Sequence, residues 1–325
     1  MQAPVVVVYV ALVARCAVGM AAGDYDLQIP HTGRTRTYLL HVPSQATSGT
    51  PLPVVLSFHG GGGNAAGQKA WSGLDRIADR EGFLAVYPEG TGRFGRRLLT
   101  WNAGTCCGYA HNHDVDDVSF VIELLNDLAT RTAVDPVRVY ATGISNGAMM
   151  SYRLAIEASD RIAAIAPVAG ALSLPRFAPS RPMPVMHFHS VDDPRAFYQG
   201  GLGPLFPFLS RVLHQSVEST IARWVEYDGC PREPRVAAER HGPPGQPDAA
   251  HTAVERVWGP CRDGTEVVLW RLTGAGHVWP GAAPRYPQWL LGSPTSVVDA
   301  SEEMWRFFRR FKRPDAPPLG PGNPR

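Results

Sequence analysis

Apolar and polar positions along the chain follow two regular spacings. Residues 54–59 and 83–87 are short, mostly apolar runs, as expected for strands that are covered on both faces. Residues 116–132 instead place apolar side chains on one stripe at helical spacing. Because strands and amphipathic helices alternate in this way, the pattern predicts an α/β fold: a mainly parallel central sheet with helices on both faces.

The same patterns predict the remaining elements. Strands are predicted at residues 36–42, 54–59, 83–87, 137–142, 162–168, 185–189 and 266–272, and helices at 70–81, 116–132, 146–158, 217–227 and 300–311. Residues 89–115, rich in Gly, Asn, His and Cys, are interpreted as a long loop, and the polar stretch 237–253 as a surface insertion. No composition break interrupts the alternation, so residues 23–311 are expected to form one domain, followed by a Pro- and Gly-rich tail at 312–325.

Residues 1–22 differ from the rest of the chain and resemble an export signal. Residues 5–13 are apolar, and mostly small residues follow at positions 17–22. The run is too short to cross a bilayer, so stable membrane insertion is not expected. Cys16 raises the alternative of lipid attachment, but Arg15 is unsuited to the position before such a cysteine. The prediction is therefore export with cleavage, to an extracellular or periplasmic location.

The overall composition narrows the classes of partner. The chain has 325 residues, of which 44% are apolar and 18% charged, and its formal net charge is +2. This apolar content suffices for a large core. The chain has no basic stripe or acidic tail, so neither nucleic acid nor a highly charged partner is expected. The composition does not determine the oligomeric state.

Cysteine usage agrees with export. Of five cysteines, four remain once residues 1–22 are removed, and an even number in an exported protein indicates disulfides. The adjacent residues Cys106 and Cys107 form either a vicinal bridge or two buried thiols. No Cys-x-x-Cys or His-x-x-x-His spacing indicates a metal site, so neither a metal nor another cofactor is expected.

A Gly-x-Ser-x-Gly pentapeptide at residues 143–147 carries the main chemical signal. It follows the predicted strand 137–142 and opens a predicted helix. A serine at such a sharp turn is strained, and the small residues Gly143 and Gly147 make room for it. Ser145 is therefore the candidate nucleophile, and the alternative is a glycine-rich turn with an incidental serine. A serine nucleophile also needs a base, a group that orients the base, and donors for the oxyanion.

Two backbone groups are candidates for the oxyanion donors. The N–H of Asn146 follows the nucleophile at the start of a helix. The second donor is expected from the glycine run at residues 60–63, since glycines let the backbone approach a substrate oxygen closely. Gly61 is the first choice, with Gly60 and Gly62 as alternatives. A flexible loop ranks second, and a phosphate loop lower still because no Lys-Ser/Thr follows the glycines.

His277 is the candidate base, on a loop of small residues after the last predicted strand. The orienting acid is Asp192 or Asp193, and both follow the predicted strand 185–189. The resulting chain order of serine, aspartate and histidine is that of α/β-hydrolases. The ends of parallel strands are also where such sheets carry catalytic groups.

Together these segments resemble the secreted esterases known as polyhydroxybutyrate depolymerases and feruloyl esterases, which are related to carbohydrate esterases. The likeness is carried by residues 36–43, 59–64, 101–104, 106–108, 115–118, 143–148, 198–201, 229–230 and 276–281. The resemblance implies an α/β-hydrolase fold and a triad of Ser145, Asp193 and His277. Counting forward from His189 and back from Tyr198 both lead to Asp193.

The resemblance also bears on the cysteines and on the substrate. It implies a disulfide between Cys230 and Cys261, and it places Cys106 and Cys107 near the site. The implied reaction is hydrolysis of a small or polymeric carboxylic ester, either a hydroxybutyrate-type polyester or a feruloyl or acetyl ester. Alternatives are a synthetic-polyester or short-chain esterase, a peptidase, an acyltransferase, and a non-catalytic binding protein on the same scaffold.

Four further residues are candidates for contact with the substrate. Trp101 and Trp279 belong either to the substrate wall or to the core. His59 and Tyr198, which lie in the segments that carry the resemblance, are the other two. Arg195 departs from the family pattern and puts a charge near the acid, so we expect substrate preference to differ from that of the relatives.

Overall fold

A ten-stranded sheet forms the centre of the molecule in the computed structural model, which describes residues 19–46, 49–205 and 211–314. The strands are β1 (Gly23–His31), β2 (Arg34–Val42), β3 (Leu52–Phe58), β4 (Leu84–Pro88), β5 (Val134–Ile144), β6 (Ala164–Val168), β7 (Val185–Ser190), β8 (Gly201–Leu202), β9 (Leu213–His214), β10 (Arg235–His241), β11 (Thr252–Trp258) and β12 (Val267–Thr273). The short strands β8 and β9 pair with each other, and the other strands form the large sheet.

The strand order in the large sheet is β1-β2-β4-β3-β5-β6-β7-β12-β11-β10. From β4 to β12 in this order the neighbouring strands run parallel, whereas the pairings at both edges are antiparallel. The carboxyl ends of the parallel strands therefore meet along one edge of the sheet, where such folds carry functional groups. The predicted α/β-hydrolase fold class is confirmed.

Helices cover both faces of the sheet. They are α1 (Ala65–Ser72), α2 (Leu74–Glu81), α3 (Gly108–Asn112), α4 (Asp117–Arg131), α5 (Asn146–Glu157), α6 (Val217–Tyr227), α7 (Gln288–Leu291) and α8 (Ala300–Phe308). Because side chains alternate along a strand, β3 directs Val54 and Leu56 to one face and Val55 to the other. The first face packs against α4, α5 and α6, and the second packs against α2 and α8. The sheet is thus buried between two apolar cores.

Three predicted segments differ from the structure. The helix predicted over 70–81 is two helices, because Gly73 has a φ of 61° and ends α1 in the left-handed conformation. The long loop at 89–115 contains the short helix α3. The stretch 237–253, predicted as a surface insertion, contains regular structure, since most of β10 and the start of β11 lie there. β10 is the outermost strand and most of its side chains are exposed, so its polar sequence is typical of a sheet edge.

Both cysteine pairs in the described ranges are bonded. Cys230 and Cys261 are joined across a sequence separation of 31, which ties the end of α6 to the segment before β12. Cys106 and Cys107 are joined to each other at the start of α3.

Parts of the predicted termini lie outside the described residues. These parts are residues 1–18 of the export signal, with Cys16, and the tail from residue 315 onward. Among the helices that the structure describes, none has the length and apolar character needed to cross a membrane.

Candidate active site

Ser145 lies at the turn between β5 and α5, at the carboxyl end of a central parallel strand. Its φ of 58° and ψ of −121° are strained for a residue with a side chain. Its N–H donates to the carbonyl oxygen of Val168 at 2.9 Å. A Cβ on Gly143 would lie 2.6 Å from the carbonyl oxygen of Phe58, and a Cβ on Gly147 would overlap the same oxygen. The two glycines of the pentapeptide are therefore needed for the close packing that sustains the strained turn.

His277 and Asp193 form a buried pair. Nδ1 of His277 lies 2.7 Å from Oδ2 of Asp193. The other carboxylate oxygen, Oδ1, accepts the N–H groups of Arg195 at 2.8 Å and Ala196 at 2.9 Å. Burial by itself raises the pKa of Asp193, but the charge of His277 and the hydrogen bonds from His189 and His277 bring that pKa below its ordinary value. An ionised Asp193 keeps a proton on Nδ1 of His277 and leaves Nε2 free to accept another.

Asp192, the other candidate acid, is placed differently. It is exposed, and its Oδ2 accepts the N–H of Gly274 at 2.7 Å. This bond links the loop that carries Asp192 and Asp193, the acid loop, to the loop that carries His277.

Ser145 and His277 line the same cavity. In the described part of the chain no hydrogen bond joins them, and such contacts often tighten only in a substrate complex.

A chain of hydrogen bonds supports the acid loop from the core. The Tyr152 hydroxyl lies 2.9 Å from Nδ1 of His187, and Nε2 of His187 lies 3.0 Å from Nδ1 of His189. Nε2 of His189 is 2.7 Å from the carbonyl oxygen of Ala196 and 3.5 Å from Oδ2 of Asp193. With the His189 ring neutral, its Nε2 donates to the carbonyl oxygen and its Nδ1 accepts, so the donors of His187 and Tyr152 also point towards the acid loop. Burial, and then the charge of His189, hold the pKa of His187 well below its ordinary value, so this ring is neutral.

The glycine loop, residues 60–63, lies against the turn that carries Ser145, the candidate nucleophile. A Cβ built on Gly60 would be 3.4 Å from that of Ser145. The N–H of Gly62 donates to a backbone carbonyl at 2.8 Å, and the N–H of Gly63 donates to Gly60 at 3.0 Å. Within the described residues the N–H of Gly61 has no such backbone acceptor, and Gly61 lines the cavity. The geometry thus favours Gly61 over Gly62 as an oxyanion donor.

Side chains brace this loop from behind. The side-chain amide of Asn146 accepts the backbone N–H of Trp101 at 2.8 Å and donates to the backbone carbonyl oxygen of Trp101 at 3.0 Å. The Trp101 indole N–H donates to the carbonyl oxygen of His59 at 3.0 Å. His59 in turn donates from Nδ1 to Gly60 at 2.8 Å and accepts the Gly90 N–H at Nε2, at 3.0 Å. Burial lowers the pKa of His59 to about 4, so the ring stays neutral and shapes the loop.

Asp117 joins two of the segments that carry the family resemblance. Its Oδ2 accepts the N–H of Asn102 at 2.8 Å, and its Oδ1 lies 2.8 Å from the Arg36 guanidinium. All three side chains are buried. Asp116, the preceding residue, caps α4 by accepting the Ser119 N–H. The buried ion pair therefore anchors the loop that holds Trp101 behind the glycine run.

A cavity of about 400 Å³ contains the candidate reactive groups. Its wall includes Ser145, Asn146, His277 and the glycine loop, together with Trp71, Cys107, Met149, Arg195, His214, Tyr286, Leu290 and Leu291. Small-molecule sites commonly have this size and this mostly apolar lining with a few polar groups. The arrangement can hold an ester beside the Ser145 hydroxyl and the His277 ring.

Three aromatic candidates for the substrate wall lie in the core instead. Trp101 and Trp279 are fully buried, and the Trp279 indole donates to a buried serine hydroxyl at 2.9 Å. Tyr198 is also buried, and its hydroxyl donates to Glu218 at 2.5 Å. None of the three lines the cavity, so core packing accounts for them. His59 does line it, but both of its ring nitrogens are engaged with backbone groups.

Most of the wall carries no sequence signal. Trp71, Met149, His214, Tyr286 and Leu290 come from separate helices, a short strand and a loop, and belong to no motif. Outside the motifs, Arg195 stands out in the sequence as a departure from the family pattern. In the structure Nε of Arg195 donates to the Leu290 carbonyl oxygen at 2.5 Å, which ties the acid loop to α7.

The chain matches known esterases along most of its length. The family model described as Esterase PHB depolymerase matches residues 36–222. NocK of Nocardia uniformis subsp. tsuyamanensis, which carries the name of an esterase, is 31% identical over 83% of this chain and 78% of its own length. Feruloyl esterase B of Piromyces equi is 27% identical over 74% of this chain, which spans only 42% of that relative.

A solved structure shares the fold. An acetyl xylan esterase from Aspergillus awamori superposes with a TM-score of 0.58 at 14% identity, covering 89% of this chain and 99% of its own. The family model alone covers more than half of the chain, and the match to NocK extends beyond it. The chain therefore belongs to the esterase PHB depolymerase family and is a carboxylic ester hydrolase.

Proposed function

We propose that this hydrolase works through an acyl-enzyme on Ser145, with His277 as the base and Asp193 as the group that orients it. One observation carries the proposal. The strained Ser145 shares a cavity with His277, whose Nδ1 is held by a buried carboxylate 2.7 Å away. The proposed steps use only protein groups and water.

The reaction has two halves. In the first, Oγ of Ser145 attacks the ester carbonyl carbon while Nε2 of His277 takes the hydroxyl proton. The tetrahedral intermediate then collapses, its bond to the alcohol oxygen breaks, and His277 gives the proton to that leaving oxygen. In the second half, water attacks the acyl carbon and passes a proton to His277. The proton returns to Oγ as the carboxylic acid is released.

Backbone donors stabilise the negative charge on the carbonyl oxygen. We assign this role to the N–H groups of Asn146 and Gly61, with Gly60 as the alternative in the glycine loop. Asn146 is the first residue of α5, where backbone N–H groups have no partner within the helix. Loss of one such donor typically lowers kcat by about a hundredfold or more.

The substrate is proposed from the cavity and from the names of relatives. The cavity of about 400 Å³ has a mostly apolar wall, which suits an acyl group or an alcohol of moderate size. Relatives carry the names feruloyl esterase, acetylxylan esterase and poly(3-hydroxyalkanoate) depolymerase. We therefore propose hydroxybutyrate-type oligoesters or feruloyl and acetyl esters as substrates.

Export is part of the proposal. The apolar segment at residues 5–13 and the two disulfides support an extracellular or periplasmic enzyme, since disulfides persist in oxidising compartments. In this proposal residues 1–22 are removed and residues 23–311 form the single catalytic domain.

The test compares Ser145→Ala with wild type and with Ser219→Ala, a change at an exposed serine of α6. We expect Ser145→Ala to abolish hydrolysis of p-nitrophenyl butyrate and labelling by a fluorophosphonate, while Ser219→Ala behaves as wild type. Methyl ferulate, acetylated xylan and 3-hydroxybutyrate oligomers then rank the natural ester classes. Near-normal hydrolysis by Ser145→Ala would refute the mechanism.

A further inference from the structure

Besides His277 and His59, a third histidine, His214, lines the cavity that contains Ser145. It lies in β9 and pairs with Gly201 of β8, outside the large sheet. The acid that holds His277 makes no hydrogen bond to His214. The proposed steps of hydrolysis therefore leave this wall histidine without a role.

The backbone of β8 and β9 seats the imidazole ring. Leu202 and Leu213 pair across the two strands, and the N–H of Gly203 donates to the Val212 carbonyl oxygen at 2.9 Å. Gly203 makes room for the ring, because a Cβ there would lie 2.8 Å from Nε2 of His214. The ring thus packs directly on backbone in a space that a larger residue at position 203 would fill.

The two ring nitrogens of His214 differ in their surroundings. Nδ1 is sealed from solvent and has no hydrogen-bond partner in the described ranges, whereas Nε2 stays accessible. A buried N–H without an acceptor is rare and costly, so the proton belongs on Nε2. Burial, and after it the charge of His277, lower the pKa of His214 to about 4. Near neutral pH the ring is therefore uncharged and offers one N–H donor.

We propose that His214 is a specificity-determining residue that donates a hydrogen bond from Nε2 to a substrate oxygen outside the scissile ester group. This inference rests on the proposed function of the site. The ligand class is an ester whose acyl or alcohol part carries a hydroxyl, ether or second ester oxygen a few atoms from the scissile carbonyl.

The rest of the nearby wall explains why such an oxygen would matter. Pro204, Val212 and Leu291 also line the cavity and offer no side-chain donor. The backbone of Arg195 lies beside Gly203 as well, and the Nε donor of Arg195 is engaged with the Leu290 carbonyl oxygen. A purely hydrocarbon group of the substrate that packs against His214 would displace water from its N–H without replacing the hydrogen bond. An oxygen at the same place would accept the bond, so the site discriminates between substrates of equal shape.

The test uses two pairs of esters that differ by one group. On the acyl side, p-nitrophenyl 3-hydroxybutyrate is compared with p-nitrophenyl 3-methylbutyrate, in which methyl replaces hydroxyl. On the alcohol side, 2-methoxyethyl acetate is compared with butyl acetate, in which methylene replaces the ether oxygen. The ratio of kcat/KM within each pair is measured for wild type, His214→Phe and His214→Gln.

We expect His214→Phe to lower the ratio of oxygenated to hydrocarbon ester about three- to tenfold for one pair, the effect of one neutral hydrogen bond. His214→Gln keeps an N–H donor of similar reach and should restore much of the ratio. The affected pair also tells whether the acyl or the alcohol part lies at His214.

Two results would overturn the proposal, and they are distinguishable. If His214→Phe changes both members of each pair equally, the ratios stay constant and His214 has only a structural role. If wild type hydrolyses none of the four esters beyond the rate of Ser145→Ala, the proposed function fails and the role of His214 fails with it.

Discussion

The two oxygens of Asp193 have different partners, so an amide at this position tests the mechanism. In Asp193→Asn the side-chain carbonyl oxygen takes the Oδ1 position, because the N–H groups of Arg195 and Ala196 donate there at 2.8 and 2.9 Å. The NH₂ group then replaces Oδ2, which lies 2.7 Å from Nδ1 of His277. Since NH₂ only donates, it holds the lone pair of His277 at Nδ1 and its proton at Nε2. The ring then has no nitrogen free to accept the proton of Ser145.

We expect kcat to fall by about four orders of magnitude, as the wrong tautomer does in a serine-histidine-aspartate triad, or roughly 5.5 kcal/mol of barrier. KM should change little, because Asp193 is absent from the cavity wall. Initial rates with p-nitrophenyl butyrate give both constants. Asp192→Asn is the matched control, since an amide oxygen can still accept the Gly274 N–H.

A melting curve must first show that Asp193→Asn is folded. A folded variant within about tenfold of the wild-type kcat would refute the tautomer argument. Loss of activity in Asp192→Asn comparable to that in Asp193→Asn would also contradict it, because the acid loop as a whole would then be responsible.

Two further predictions concern stability and use urea unfolding. Replacing Cys230 and Cys261 by Ala opens a loop with a sequence separation of 31 and should cost about 3–4 kcal/mol, and an unchanged midpoint would contradict this. Asp117→Ala leaves the buried Arg36 without its partner at 2.8 Å and should cost about 3–5 kcal/mol. The double variant Asp117→Leu with Arg36→Met should recover much of that loss, since no unpaired buried charge remains.

The predictable parts of the fold are those whose burial is visible in the sequence. The apolar runs at 54–59 and 83–87 correspond to β3 and β4, because both faces of a central strand are covered. Edge strands give a weaker signal. β10 exposes most of its side chains, so the stretch 237–253 has the composition of a loop. The split of the helix at 70–81 depends on Gly73, since a glycine within a helical pattern either continues the helix or ends it.

The candidate site also has some residues that the sequence reveals and others that only the folded chain brings together. Ser145 has a motif because its turn needs small neighbours in sequence. Asp192 and Asp193 are adjacent, so their position after a strand leaves both open. The family resemblance implies Asp193, and in the folded loop that carboxylate lies beside His277. For a large aromatic residue such as Trp101, the sequence does not tell whether it lines the substrate cavity or packs in the core, because residues of the same size and polarity occur in both places. His214 reaches the cavity through the pairing of two-residue strands, which leave no periodicity in the sequence.

The hydrogen-bond chain behind Asp193 has a consequence for how this scaffold tolerates change. Tyr152 belongs to α5, the helix that begins directly after Ser145, and His187 and His189 belong to β7, which leads to the acid loop. The distance between the proposed nucleophile and the proposed acid is therefore set by three interior side chains. None of the three belongs to the rim of the cavity. Changes in the loops at the rim can thus alter the substrate range while the distance between Ser145 and Asp193 stays the same.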